Sequence, residues 1–142
     1  MVAFYTYMDY NQKEIGTHHV FVFDRVVLNY GNGYHEYSGV FSAPRSGLYM
    51  SVWSLRVWEQ SVVLIVAGST YTSMYNRSYR EDYTHDGEYS DADETASSFA
   101  LVHLNEGDDV YLRTHSSYSG TGGVISNEYG RSSFGGWLLM HV

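Results

Sequence analysis

The hydrophobic positions of this chain fall in short runs bounded by turn residues, and no stretch shows the 3.6-residue period typical of an amphipathic helix. Glycine, asparagine and serine cluster at residues 29–33, 45–47, 105–108 and 120–123, where they predict turns. Strands are predicted over residues 2–8, 19–28, 39–43, 48–58, 61–67, 96–104, 109–116 and 133–142. The pattern therefore predicts one all-β domain over residues 1–142, folded as a β-sandwich.

Some of the predicted strands are apolar on both faces. Leu48, Met50 and Val52 alternate with Tyr49 and other apolar residues, and residues 137–140 read Trp-Leu-Leu-Met. A sheet in a sandwich buries one face and leaves the other in water, so a two-sided apolar strand needs a second surface to cover it. We expect an oligomer; the alternative is that these strands lie under a loop of the same chain.

Charge and composition narrow the classes of partner. The 142 residues include 15 Tyr, 14 Gly and no Cys, and 44% of them are hydrophobic, which favours a folded domain over a disordered chain. A net charge of −8 argues against nucleic acid and anionic membranes as partners, because both attract a cationic surface. No apolar run reaches the ~20 residues that cross a bilayer, so we predict no membrane insertion.

The motifs that mark common enzymes do not occur in the sequence. There is no Gly-x-Ser-x-Gly nucleophile motif, and residues 120–123 lack the Lys-Ser/Thr of a phosphate-binding loop. The absence of cysteine excludes thiol catalysis and zinc–thiolate sites. We therefore predict that the protein is not an enzyme.

Four motifs occur in a familiar order along the chain. They are residues 23–34 (FDRVVLNYGNGY), 39–49 (GVFSAPRSGLY), 107–112 (GDDVYL) and 133–139 (SFGGWLL). Together they resemble the globular head of C1q. The resemblance implies a ten-stranded jelly-roll β-sandwich of the C1q/TNF type, a homotrimer with aromatic side chains around the threefold axis, and a secreted, extracellular recognition protein. The collagen repeat of many relatives is not present in this sequence.

The segment before the predicted strand at residues 96–104 is acidic. Seven of the sixteen carboxylates fall within the fourteen residues 81–94. Such a cluster suits a hard cation with oxygen ligands, and the resemblance implies a calcium site in this loop. The candidate ligands are Asp86, Asp91, Asp93 and Glu94. The alternative is a solvated acidic loop without a metal.

Tyrosine is also concentrated in the polar segments. A tyrosine ring can stack on a sugar while its hydroxyl forms hydrogen bonds, and arginine can pair with the carboxylate of an anionic sugar such as sialic acid. The candidate ligand-binding residues are Tyr71, Tyr75, Arg77, Tyr79, Arg80, Tyr83, Tyr118, Tyr129 and Arg131. The alternative is that the rings pack on the sandwich and that the arginines are solvated.

Three functions are consistent with these features. The first is a lectin-like pattern-recognition molecule of innate immunity that binds glycans as a homotrimer. The second is a ligand of the TNF or C1q type for a protein receptor. The third is a calcium-binding protein of the extracellular matrix.

Overall fold

The structure is a computed structural model that describes residues 1–13, 15–77 and 93–142. These residues form ten β-strands and no helix, and thus no helix long and apolar enough to cross a membrane. The strands are β1 (Ala3–Tyr7), β2 (Arg25–Tyr30), β3 (Tyr34–His35), β4 (Val40–Ser42), β5 (Gly47–Val66), β6 (Ser69–Arg77), β7 (Glu94–Leu104), β8 (Asp109–Thr114), β9 (Thr121–Ile125) and β10 (Ser133–His141).

Strand β5 connects the two layers of the fold. Its first half pairs with β10 on one edge and with β7 on the other, and its second half pairs with β8 and β6. Strand β9 pairs with β5 between these halves, at residues 56–59. One layer is β2-β1-β10-β5-β7 and the other is β3-β4-β8-β5-β6. The predicted ten-stranded jelly-roll sandwich is confirmed.

The core follows from the alternation of side chains along the strands. In the first half of β5, Tyr49, Trp53 and Leu55 are buried between the layers. Phe4 of β1 stacks on Phe41 with 4.5 Å between ring centroids. Aromatic packing of this kind joins the two layers and places the opposite faces of β1, β5 and β10 on the outside.

Three of the predicted strands differ from those observed. The segments 48–58 and 61–67 are one continuous strand, because residues 59 and 60 keep pairing with β6 instead of turning. The predicted strand at residues 19–28 is wrong over its first half. There Phe21 and Phe23 are fully buried, and the Phe21 amide donates to the Leu112 carbonyl at 3.0 Å, but a regular strand begins only at Arg25.

Three strands were missed by the sequence pattern: the two-residue strand β3, and strands β6 and β9. Strand β6 was assigned to a polar loop because its residues are mostly serine, threonine and tyrosine. Strand β9 begins inside the predicted turn at residues 120–123, where Gly120 and Gly122 do have positive φ angles of 66° and 74°. A Cβ at Gly122 would lie 2.5 Å from the Trp58 ring, so this glycine permits close packing within a strand.

Tyr34 secures the irregular segment before β2. Its hydroxyl donates to the Phe23 carbonyl at 2.7 Å and accepts from the Phe23 amide at 3.1 Å. We expect Tyr34→Phe to lower the free energy of unfolding by about 1–3 kcal/mol, because both backbone groups lose this buried partner. Urea unfolding at neutral pH measures this loss.

The same residue predicts an alkaline dependence. Burial raises the pKa of Tyr34 to about 12 from 10.0, so the folded state favours the neutral phenol. That stability is present below pH 10 and is lost as pH rises towards 12. Between pH 10 and 12 the free energy of unfolding of the unmodified protein should fall by roughly 2–3 kcal/mol more than that of Tyr34→Phe. Parallel curves for the two proteins would contradict this role.

Candidate functional site

Eight of the predicted site residues lie in the part of the chain that the structure describes. They are Tyr71, Tyr75, Arg77, Asp93, Glu94, Tyr118, Tyr129 and Arg131. The others, Tyr79, Arg80, Tyr83, Asp86 and Asp91, lie outside the described residues. Most of the eight lie near residues 56–61 of β5, where the strand passes from one layer to the other; we call this the bend end of the sandwich.

Tyr75 and Tyr118 meet at the bend end over the side chain of Glu59. Alternation along β6 turns Tyr75 outward, and its ring meets the Tyr118 ring edge to face with 6.3 Å between centroids. The Tyr75 hydroxyl donates to Oε2 of Glu59, and the Thr121 hydroxyl donates to Oε1 at 3.1 Å. The Tyr118 hydroxyl also acts on this carboxylate, whose pKa it lowers. We call these four residues the Tyr75–Tyr118 site.

The hydrogen bonds set the charge state of this site. The Tyr75 hydroxyl, and after it the Tyr118 hydroxyl, lower the pKa of Glu59 below its usual value of 4.5. The same bond to Glu59 raises the pKa of Tyr75. At neutral pH the site therefore combines the ionised Glu59 carboxylate with the neutral Tyr75 phenol.

The segment that carries Tyr118 is held against β5 by its backbone. The buried Gln60 side chain donates from Nε2 to the Gly122 carbonyl at 2.9 Å. At Gly120 a Cβ would lie only 2.4 Å from the Glu59 carbonyl oxygen, so the close approach needs glycine. The glycines first interpreted as a turn thus bring Tyr118 to Tyr75.

Arg56 joins three chain segments beside this site. Its Nε and Nη2 atoms donate to the two carboxylate oxygens of Asp93 at 2.9 and 3.2 Å. Its Nη1 atom donates to Oδ1 of Asn127 at 2.8 Å and to the Gly130 carbonyl at 2.9 Å. The start of β7 and the loop between β9 and β10 are therefore both fixed to β5. Sequence analysis did not indicate this role for Arg56.

The two calcium candidates in the described residues, Asp93 and Glu94, differ in their contacts. Both oxygens of Asp93 accept from Arg56, whereas Glu94 has an exposed side chain at the start of β7. Over residues 1–13, 15–77 and 93–142, no three histidine, aspartate or glutamate side chains are grouped closely enough to hold a metal ion. Asp86 and Asp91 lie outside the described residues, so the calcium site predicted at Asp86, Asp91, Asp93 and Glu94 stays a prediction.

Three other candidates lie apart from the Tyr75–Tyr118 site. The Tyr71 hydroxyl donates to the Leu101 carbonyl of β7 at 2.7 Å. Arg131 lies over the Tyr7 ring, 5.0 Å from its centroid, and its Nη1 atom is 3.7 Å from Oδ1 of Asp9. Tyr129 is 88% exposed in the loop between β9 and β10. The structure therefore brings Tyr75, Arg77 and Tyr118 together. It places Tyr71, Tyr129 and Arg131 away from this group.

A second surface of interest is the outer face of the layer β2-β1-β10-β5-β7. The strand registers align two rows of side chains on this face: one crosses Tyr5, Val52 and Phe99, and the other crosses Trp137, Met50 and Leu101. Phe99 is 65% exposed and Trp137 is 40% exposed. We call these six residues the outer apolar face.

The two-sided strands predicted from the sequence are confirmed on this face. The side chains of Met50 and Val52 lie on the outside of β5, while Tyr49 and Trp53 face the core. Sequence analysis missed Tyr5, Phe99 and Leu101, because Phe99 and Leu101 lie among serine, alanine and histidine residues. Two shallow grooves cross the face, one lined by Tyr5, Val52 and Trp137, the other by Val52, Ser97 and Phe99.

Comparison with known families identifies the family of this β-sandwich. Residues 3–139 match the model of the C1q domain. The chain belongs to the C1q domain family. It is 34% identical over 125 residues to human complement C1q tumor necrosis factor-related protein 3, a match that covers 85% of this chain and 45% of the relative. The C1q domain described here thus spans less than half the length of that relative.

More distant relatives and solved structures give the same picture. Mouse collagen alpha-1(X) chain is 30% identical over 118 residues, which cover 82% of this C1q domain and 16% of the relative. The globular domain of zebrafish complement 1qA protein superposes with a TM-score of 0.73 at 13% identity, covering 100% of both chains. Eiger TNF from S. frugiperda superposes with a TM-score of 0.67 at 15% identity, covering 99% of this chain and 94% of that one. The structural matches show a shared fold.

Proposed function

We propose that this C1q domain is a secreted, non-enzymatic recognition module that assembles as a homotrimer through the outer apolar face and binds glycans at the Tyr75–Tyr118 site. The observation that carries the proposal is the exposure of large apolar side chains in register across one sheet face. The family and the extracellular nature of C1q relatives support secretion.

Self-association follows from the cost of leaving the outer apolar face in water. Phe99, Leu101 and Trp137 are each 40% exposed or more, and Met50 and Val52 lie half-buried between them. Removing one such side chain from water contributes up to roughly 1.5–3 kcal/mol, so a few per subunit support a stable interface. Threefold assembly is proposed because three copies of the face close around one axis, as the C1q/TNF resemblance implies.

Ligand recognition is assigned to the bend end because its aromatic groups remain accessible. Tyr75 is 55% exposed and Tyr118 is 41% exposed; the Tyr75 ring is held by its hydrogen bond to Glu59, and the Tyr118 ring packs against it. A fixed ring beside polar oxygens suits the flat, hydroxyl-rich surface of a sugar. A homotrimer carries three such sites, and simultaneous binding to a glycan-covered surface raises the overall affinity.

A glycan array tests this function directly. The unmodified protein should bind a defined set of glycans, and Tyr75→Ala combined with Tyr118→Ala should reduce the signal at least about tenfold, since each stacked ring contributes roughly 1 kcal/mol. Tyr37→Ala is the matched control, because Tyr37 is 91% exposed and lies in the loop between β3 and β4, outside the Tyr75–Tyr118 site.

The array is run with calcium and with a chelator, so that it also tests the metal prediction. Binding only with calcium, lost in Asp86→Asn combined with Asp91→Asn, would support a calcium site. A blank array under both conditions would contradict the lectin function and favour a ligand for a protein receptor.

A further inference from the structure

We propose that Glu59 makes the Tyr75–Tyr118 site selective for sugars that carry a free amino group, and that the site disfavours sialic acid. The inference rests on the proposed glycan binding and names the ligand class of that same site. It follows from the direction of the hydrogen bonds, from the charges around Glu59 and from the accessible ring faces.

The hydroxyl groups of Tyr75 and Thr121 already donate their hydrogen atoms to Glu59. Tyr75 donates to Oε2 of Glu59 and Thr121 donates to Oε1. An ionised carboxylate can only accept, so the hydrogen atoms of both hydroxyls are committed to it. These hydroxyls therefore present oxygen lone pairs to an incoming ligand. An ammonium group offers three donors and no acceptor, so it fits them, whereas a carboxylate offers only acceptors.

The charge of Glu59 favours a cation as well. Arg77 is the cross-strand partner of Glu59 and lowers the pKa of that carboxyl, but less than the hydroxyls of Tyr75, Tyr118 and Thr121 do. The Glu59 carboxylate is therefore held mainly by neutral hydroxyl donors, and its negative charge can pair with an ammonium group of a ligand.

Of the three arginines first considered for sialic acid, Arg80 lies outside the described residues. Arg131 lies beside Asp9 and over the Tyr7 ring, and Arg77 is the cross-strand partner of Glu59. An anionic sugar at Arg77 would therefore meet the negative charge of Glu59. An amino sugar instead meets the Glu59 carboxylate and the rings of Tyr75 and Tyr118, whose faces attract cations.

The test compares sugars that differ at one group. The unmodified protein is titrated with a glucosamine oligosaccharide, with the N-acetylglucosamine oligosaccharide of the same length, with sialyllactose and with polylysine. We expect the glucosamine oligosaccharide to bind at least about tenfold more tightly than its acetylated form, which lacks the charge. Glu59→Gln should reduce this ratio to about twofold or less, while Arg77→Gln should leave it unchanged or larger.

The possible outcomes separate this inference from the function on which it rests. A preference for sialyllactose that Arg77→Gln abolishes would overturn the amino-sugar assignment and leave the lectin function standing. Equal binding of the two glucosamine forms by the unmodified protein would also overturn it, without need of a variant that folds. Polylysine binding as tightly as glucosamine would assign the site to a peptide amine. Failure to bind any of these sugars would overturn the amino-sugar assignment, and a blank glycan array in addition would contradict the proposed function itself.

Discussion

Replacing Phe99 by aspartate is expected to convert the assembled protein to a monomer of 16.2 kDa. Phe99 is 65% exposed on the outer apolar face, so in one subunit the change costs little. In the homotrimer it removes three aromatic side chains and places three carboxylates in apolar surroundings. The loss is at least roughly 5–9 kcal/mol per trimer, enough to dissociate it at micromolar concentration. Light scattering coupled to size-exclusion chromatography measures the mass.

A matched substitution separates this effect from a general effect of charge. Tyr37 is 91% exposed and lies away from the outer apolar face, so Tyr37→Asp should leave the mass of the assembly unchanged. Circular dichroism should show that Phe99→Asp keeps its β-structure. A Phe99→Asp protein with the mass of the unmodified assembly would show that this face is not the interface.

The second large effect is expected at Arg56. Its four hydrogen bonds hold Asp93, Asn127 and Gly130, and its side chain is only 16% exposed. Arg56→Ala leaves a partly buried carboxylate and two further acceptors without their donor. We expect a loss of about 2–4 kcal/mol in the free energy of unfolding and a fall in Tm of roughly 5–15 °C. Thermal unfolding followed by tryptophan fluorescence measures it.

Two further variants test whether geometry or charge carries this effect. Arg56→Lys keeps the charge but loses the planar set of donors, so it should recover less than half of the lost stability. Arg131→Ala removes an arginine whose closest carboxylate contact is 3.7 Å and more exposed, so its Tm should change by only a few degrees. Equal effects at Arg56 and Arg131 would contradict the anchoring role of Arg56.

The sequence was sufficient to predict the fold class because local patterning and burial agree along most strands. Alternation in β5 separated Tyr49 and Trp53 from Met50 and Val52, and the structure places these pairs on opposite faces. The prediction failed for strands whose side chains do not show the apolar pattern of a strand. Strand β6 is polar because it lies at the edge of its layer, and β9 begins with glycines that let Trp58 approach.

The candidate site was predicted only in part, for a related reason. The concentration of tyrosine pointed to Tyr75 and Tyr118, but the residue that joins them is Glu59, which sequence analysis assigned to a break between two strands. Its role depends on the register of β5 with β6 and on the conformation of the segment before β9. Such contacts between distant residues are set by tertiary packing, which a single sequence does not show.

Sedimentation equilibrium of the unmodified protein tests the central claim, that the outer apolar face is covered by other copies of the chain. The account predicts one species with three times the subunit mass of 16.2 kDa over a wide range of concentrations. A stable, soluble species of 16.2 kDa at concentrations up to about 100 μM would contradict it, because the outer apolar face would then stay exposed to water.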